Sequence, residues 1–402
     1  MDAILFEWMN MAVRWLHVIA GIAWIGSSFY FVHLDLSLRQ RPGLPEGAGG
    51  ETWQVHGGGF YNMVKYMVAP ARMPEELTWF KWEAYTTWLS GFALMIIVYY
   101  FSAELYLVDR NVLDIDPWVS IVISLVGLTA GWVVYDLLCK SPLGRNDVAL
   151  AAVGFVFLVV LTVIFQQIFS GRGAFMQMGA LIGTMMVAMS PMSSSPTSAR
   201  SWPPSRPVRS STRSSARDAK QRSLHNNYLT LPVIFVMIGN HYPLAFAGPW
   251  MWLILAIILV MGAVIRHFFN TRHKGLPSPW WTVAVALAGF AAIVWLSGLP
   301  SGEGEGDEQA SAAFEDVEMV ILSRCSMCHA REPLWDGVPY APKGVFLETP
   351  DDIHRNRHGI EMQSVLTHAM PPGNITLVEP EERRILAAWL EAGAPRGEVS
   401  GE

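Results

Sequence analysis

Long apolar blocks separated by short polar breaks occupy the first three quarters of the chain. Val13–Leu34, Ala84–Phe101, Trp118–Leu138, Val148–Phe169, Leu229–Phe246, Trp250–Phe268 and Trp280–Leu296 approach or meet spanning length, since about 20 mostly apolar helical residues cross a hydrocarbon core of about 30 Å. A weaker block begins at Phe175. Such a succession exceeds what the buried helices of a water-soluble fold require, and it predicts an all-α, polytopic transmembrane helical bundle of about 8 spans over residues 1–299. The text then turns polar. Residues 300–312, beginning Pro-Ser-Gly-Glu-Gly-Glu-Gly, read as a flexible linker. Residues 313–395 read as a small soluble unit with an opening helix, an irregular middle and a closing helix, Glu379–Ala392, that lines up Ile385, Leu386, Trp389 and Leu390.

Composition supports the same division. The chain is 52% hydrophobic and only 15% charged, whereas roughly a quarter of the residues of a soluble domain are charged. The expected partner is therefore a lipid bilayer, and no nucleic acid. Orientation follows from the basic residues, which cytoplasmic loops retain. With the N-terminus outside, the inner connections hold Arg39, Arg41, Lys65, Arg72 and Lys81, then Lys140 and Arg145, then an Arg-rich stretch, then Arg266, Arg272 and Lys274. The outer connections hold Arg110 and Arg172. No cleavable signal pattern opens the chain. The expectation is a multi-pass protein of a bacterial inner membrane with the N-terminus and the C-terminal unit in the periplasm.

The sharpest chemical signal lies in that C-terminal unit, at Cys325-Ser326-Met327-Cys328-His329. Two thiols three positions apart can each close a thioether to a haem vinyl group while the adjacent imidazole binds the iron, which predicts a covalent haem c in a class I-like cytochrome c domain. A CxxC redox pair is the rival, but it has no need of the histidine. Met370, in His-Ala-Met-Pro-Pro-Gly, is the expected second axial ligand. His354, His358, Met362 and His368 compete, with bis-His iron the main alternative.

Such a haem carries electrons without transforming a substrate, so the chemistry is sought in the bundle. His17 and His33 lie sixteen residues apart on one block, as do His225 and His241 on another. Sixteen residues rise about 24 Å, so antiparallel spans would bring His17 to His241 and His33 to His225. Ionisable groups in a bilayer are costly and usually functional. A haem b, a quinone site or a substrate pocket each fits the arrangement, as does simple interfacial capping. The first inner connection offers a second set. His56, Tyr61, Lys65 and Glu83 join a titratable ring, a phenol, an ammonium and a carboxylate around a Gly-rich loop, suited to a planar, oxygen-rich anion. Trp79 and Trp82 beside them read as interfacial belt residues.

The strings Arg14–Gly26, Val55–Tyr61, Trp79–Tyr85, Ala219–Tyr228 and the terminal Cys-Ser-Met-Cys-His resemble the membrane-bound, cytochrome c-linked urate oxidases, or urate hydroxylases, of bacterial purine breakdown. The resemblance implies oxidation of urate to 5-hydroxyisourate, with electrons leaving through the haem domain to a respiratory acceptor. It does not say which residues bind urate. Ser190–Arg217 departs from the pattern: it is rich in Ser, Pro and Arg, lacks acidic residues, and reads as the product of two compensating frameshifts. Two other classes of function fit the residues, a quinol-linked electron-transfer module and a non-catalytic transporter or haem- or metal-handling protein.

Overall fold

The computed structural model describes residues 2–66, 76, 78, 80–187, 213–299, 313–336 and 338–396. The linker 300–312, Trp79 and most of the Ser/Pro/Arg stretch lie outside the described residues. Helix α1 (Asp2–Ser37) is 36 residues long and rises about 54 Å, well past one hydrocarbon thickness. The chain then leaves the all-α expectation. Strands β1 (Ala48–His56) and β2 (Gly59–Tyr66) form an antiparallel hairpin with His56 opposite Gly59. Gly57 and Gly58, at φ 57° and 78°, make its two-residue turn, the left-handed geometry whose twist suits paired strands. The Gly-rich loop of the sequence is thus a hairpin tip.

Helix α2 (Trp82–Leu94) runs into a π-helical turn, Met95–Tyr100, and the short α3 (Ala103–Tyr106). The bundle continues through α4 (Pro117–Lys140), α5 (Asp147–Gln166), α6 (Gly171–Val187), α7 (Arg213–Gly239), α8 (Pro243–Phe246), α9 (Met251–His273) and α10 (Trp281–Ser297). Among the described residues four helices, Ile4–Ser37 within α1, α4, α5 and α9, are long and apolar enough to cross a membrane by length and composition, and α10 is a shorter apolar helix. Their outer faces are apolar too. Trp15, Ile22, Leu137, Val148, Leu287 and Phe290 are each more than half exposed, an arrangement that suits lipid and not water.

Helix α6 is the axis. Ala174, Phe175, Met178, Leu181 and Ile182 are fully enclosed, because α2, α4, α5 and α7 all pack on it. Its one buried amide is satisfied: Gln177 donates to the Ser124 carbonyl at 2.8 Å and accepts from Ser124 Oγ at 2.9 Å. Tyr100 Oη joins Ser124 Oγ at 2.8 Å. Leaving any of these unpaired in an apolar interior would cost about 1–3 kcal/mol. Pro232 inside α7 cannot donate to the helix ladder, and its ring occupies the space over Gly262 of α9, where an added Cβ would lie 2.4 Å from Pro232 Cδ.

Residues 313–396 make a second unit with its own core. Helices α11 (Phe314–Val320), α12 (Ser326–His329), α13 (Pro350–Arg355), α14 (Arg357–Ile360) and α15 (Pro380–Glu391) enclose Val317, Ile321, Ile353, Leu386 and Trp389. The opening and closing helices meet where Phe314 packs on Trp389, with ring centroids 6.2 Å apart. The unit docks on the bundle through one loop. The His368 amide donates to the Ala247 carbonyl at 3.1 Å, and Gly373 sits against α3 and the residues just after it.

Two predictions follow from this contact. Gly373 has φ +56°, and a Cβ there would lie 2.4 Å from the Val108 carbonyl oxygen. Gly373→Ala is expected to cost about 1–3 kcal/mol, read as faster hydrogen exchange at the His368 amide. Burial raises the Asp109 carboxyl above the usual carboxylate range, against the opposing pull of the Asn111 amide and the Arg383 guanidinium. A raised folded pKa stabilises fully below the unfolded value of about 3.9, and that contribution is lost as pH rises through the folded value. Asp109→Asn should therefore flatten the decline of Tm measured from pH 4 to pH 7.

Candidate functional site

In the C-terminal unit a π-helical turn, Ile321–Cys325, hands over directly to α12, so Cys325, Cys328 and His329 share one continuous helical stretch. The thiols are free. Burial pushes the Cys325 thiol up to about 12 and raises Cys328 as well. His329 Nδ1 lies 3.0 Å from the Val345 carbonyl oxygen. The carbonyl can only accept, so the proton sits on Nδ1 and the Nε2 lone pair is left for a metal. The Leu347 amide in turn donates to the His329 carbonyl at 2.8 Å, which fixes the segment facing the ring.

The Met370 loop is held from α15. Arg383, 8% exposed, donates to the carbonyls of Ser364 at 2.6 Å and Met370 at 3.2 Å. The Met370 amide donates to the Gln363 carbonyl at 2.8 Å. His358 is exposed and pairs with Glu361 at 3.4 Å, while His354 holds a buried Nδ1 with no hydrogen-bond partner. No group of three or more His, Cys, Asp or Glu side chains able to hold a metal ion is present among the described residues. A haem asks for less, because its porphyrin supplies four nitrogens and the protein only the axial pair. A free lone pair on His329, two free thiols beside it and a thioether on a clamped loop fit that group.

In the bundle the structure separates residues that spacing had joined. His56 and Tyr61 are exposed near the hairpin tip, and Lys65 is engaged with Asp35 at 2.6 Å. Glu83, in the first turn of α2, keeps a buried carboxylate oxygen with no hydrogen-bond partner. The histidine pairs also differ from expectation. His17 bonds through Nδ1 to the Thr87 carbonyl at 3.0 Å and Ser90 Oγ at 3.2 Å, close enough to α2 that only glycine fits at Gly91. His241 is exposed, and the hydrogen-bond partners of His17 come from α2. His225 bonds Tyr135 Oη at 2.7 Å. His33 meets His273, with ring centroids 4.5 Å apart. Two imidazoles on opposite faces of one metal, at about 2 Å per bond, hold centroids about 6 Å apart. His33 and His273, so placed, do not fit the two faces of one haem iron.

His33 and His273 instead line an open, mostly apolar cleft of about 480 Å³ with Phe29, Tyr30, Leu231, Ile265, Arg266 and Phe269, within the size range of small-molecule sites. Tyr30 Oη donates to Gln54 of β1 at 2.8 Å, which ties the hairpin to the cavity lip. Arg266 had been counted as a loop cation. It is instead 6% exposed within α9. Its Nε donates to Asn227 and its Nη2 to Asn270, each at 3.3 Å, and its guanidinium lies 3.9 Å over the Phe29 ring. Sequence reasoning missed Arg266 and His273, although an arginine inside the apolar block Trp250–Phe268 was the signal that should have found them.

No curated protein and no solved structure matches the chain. A family model described as Urate oxidase N-terminal matches residues 3–297, the hairpin and all the bundle helices. The match ends before the C-terminal unit, and it covers most of the chain: this protein belongs to the Urate oxidase N-terminal family.

Proposed function

We propose that the protein is a membrane oxidoreductase that converts urate to 5-hydroxyisourate and passes the electrons out through a haem c in its C-terminal unit. Water supplies the oxygen that bonds to C5 of the purine, and two protons and two electrons leave. Membership of the Urate oxidase N-terminal family supports the substrate. The bundle lies in a bacterial inner membrane with about 8 spans; the four long apolar helices and the apolar outer faces support the location. The sidedness of Lys and Arg supports a periplasmic N-terminus and C-terminal unit.

The observation that carries the electron route is the identity of two loops. The segment presenting Met370 is the segment that docks on the bundle, with His368 bonded to Ala247 and Gly373 against Val108. Cys325 and Cys328 would hold the haem covalently, and His329 and Met370 would bind its iron. Haem c, when bound, accepts one electron at a time at a potential raised by the thioether ligand. His329 is kept in the ligating tautomer by Val345, and Arg383 holds the Met370 loop in place. A soluble or membrane-bound respiratory carrier receives the electrons.

The test is an anaerobic optical spectrum of membranes holding the full chain, recorded before and after urate. Urate should reduce the c-type haem. Reduction by quinol or dithionite but never by urate would overturn the assignment in favour of an electron-transfer module. Met370→His should keep the iron six-coordinate and lower its midpoint potential in a redox titration. An unchanged potential would mean that the native ligand is not Met370.

A further inference from the structure

Arg266 poses a physical problem that the electron route does not solve. A charged side chain in an apolar helix costs up to about 2.5–3.5 kcal/mol at the helix centre, and a common remedy is a carboxylate. Among the described residues no carboxylate pairs with Arg266, and no Asp or Glu lines its cavity. Its hydrogen-bond partners are the neutral amides of Asn227 and Asn270. Asn270 Nδ2 also donates to Asn227 Oδ1 at 2.9 Å, so the two amides are locked behind the guanidinium. This is a built and rigid cation holder. Two further polar atoms there are buried without partners, Asn227 Nδ2 and His273 Nδ1. The remaining walls, Phe29, Leu231, Ile265 and Phe269, are apolar and half aromatic.

We propose that this cavity between α1, α7 and α9 captures a planar purine anion, urate, with Arg266 as its charge partner. The inference rests on the urate assignment above and extends it to a site. An anion there supplies the missing countercharge in a low-dielectric setting, where the pairing is far stronger than in water. The aromatic walls accept the flat faces of the ring system. His33 and His273 offer ring nitrogens at its oxygen-bearing edge. Tyr30, bonded to Gln54, holds the hairpin at the mouth, which places His56 and Tyr61 on the approach and not in the site.

The experiment is equilibrium binding of urate to the full-length protein in nanodiscs, with the haem kept reduced so that turnover cannot consume the ligand. Arg266→Gln is expected to weaken binding at least ten-fold and Arg266→Lys to restore part of it. Leu231→Trp, which fills the cavity and leaves the cation in place, should abolish binding, and it covers the case in which Arg266→Gln does not fold. In all three the spectrum and midpoint potential of the haem should be unchanged. If the wild type binds and oxidises urate while Arg266→Gln or Leu231→Trp binds it equally well, the cavity is not the site and the functional assignment survives. If the wild type neither binds urate nor is reduced by it, the functional assignment falls and the site falls with it.

Discussion

The interior of the bundle depends on one bonded pair, Gln177 and Ser124. Helix α6 has no face turned to solvent or lipid, so its polar side chain has to be satisfied by a neighbouring helix. The mutual bonds between the two residues, with Tyr100 as third member, fix α6 against α4 and the π-helical turn. Apolar packing alone would allow these helices to slide or rotate at small cost, whereas a paired amide in an apolar interior has few alternative positions. The helices around α6 inherit their places from it. Close contacts such as Pro232 against Gly262 then bring α7 and α9 together, and these two helices with α1 form the cavity.

That geometry divides the labour proposed for the protein between two ends. Arg266 lies about 22 Å along α9 from Met251, and Met251 adjoins the region of α8 where the C-terminal unit docks. A purine held by Arg266 and a haem held by Met370 are thus separate stations. Either charge is relayed through the bundle or the purine moves along it.

Much of the architecture was legible in the sequence, and the failures share a cause. Apolar blocks announced the helices because a helix facing lipid has to be apolar along its whole length. The same rule made α6 look weak, since a helix enclosed by other helices can carry Gln177, paired with Ser124, and glycines at close helix contacts. That Cys325, Cys328 and His329 share one helical stretch was legible because their close spacing fits a single turn. The histidine pairs were not, because spacing along a helix gives height and says nothing of rotation. His33 therefore met His273 instead of His225. The Gly-rich loop was recognised as backbone of unusual freedom, but its use in a hairpin turn depended on strands whose period was hidden by mixed burial. Arg266 was treated as a loop cation because a counting rule for charges does not ask what lies beside each one.

The close approach of Gly373 to Val108 limits how this chain can have been assembled. A C-terminal unit joined to the bundle from another source would need more than two cysteines, a histidine and a methionine. It would also need a residue without a side chain at the point where its loop rests on the bundle carbonyls, and an arginine on its last helix to hold that loop. The contact between the two units is therefore a fitted joint, closed where Gly373 meets the Val108 carbonyl.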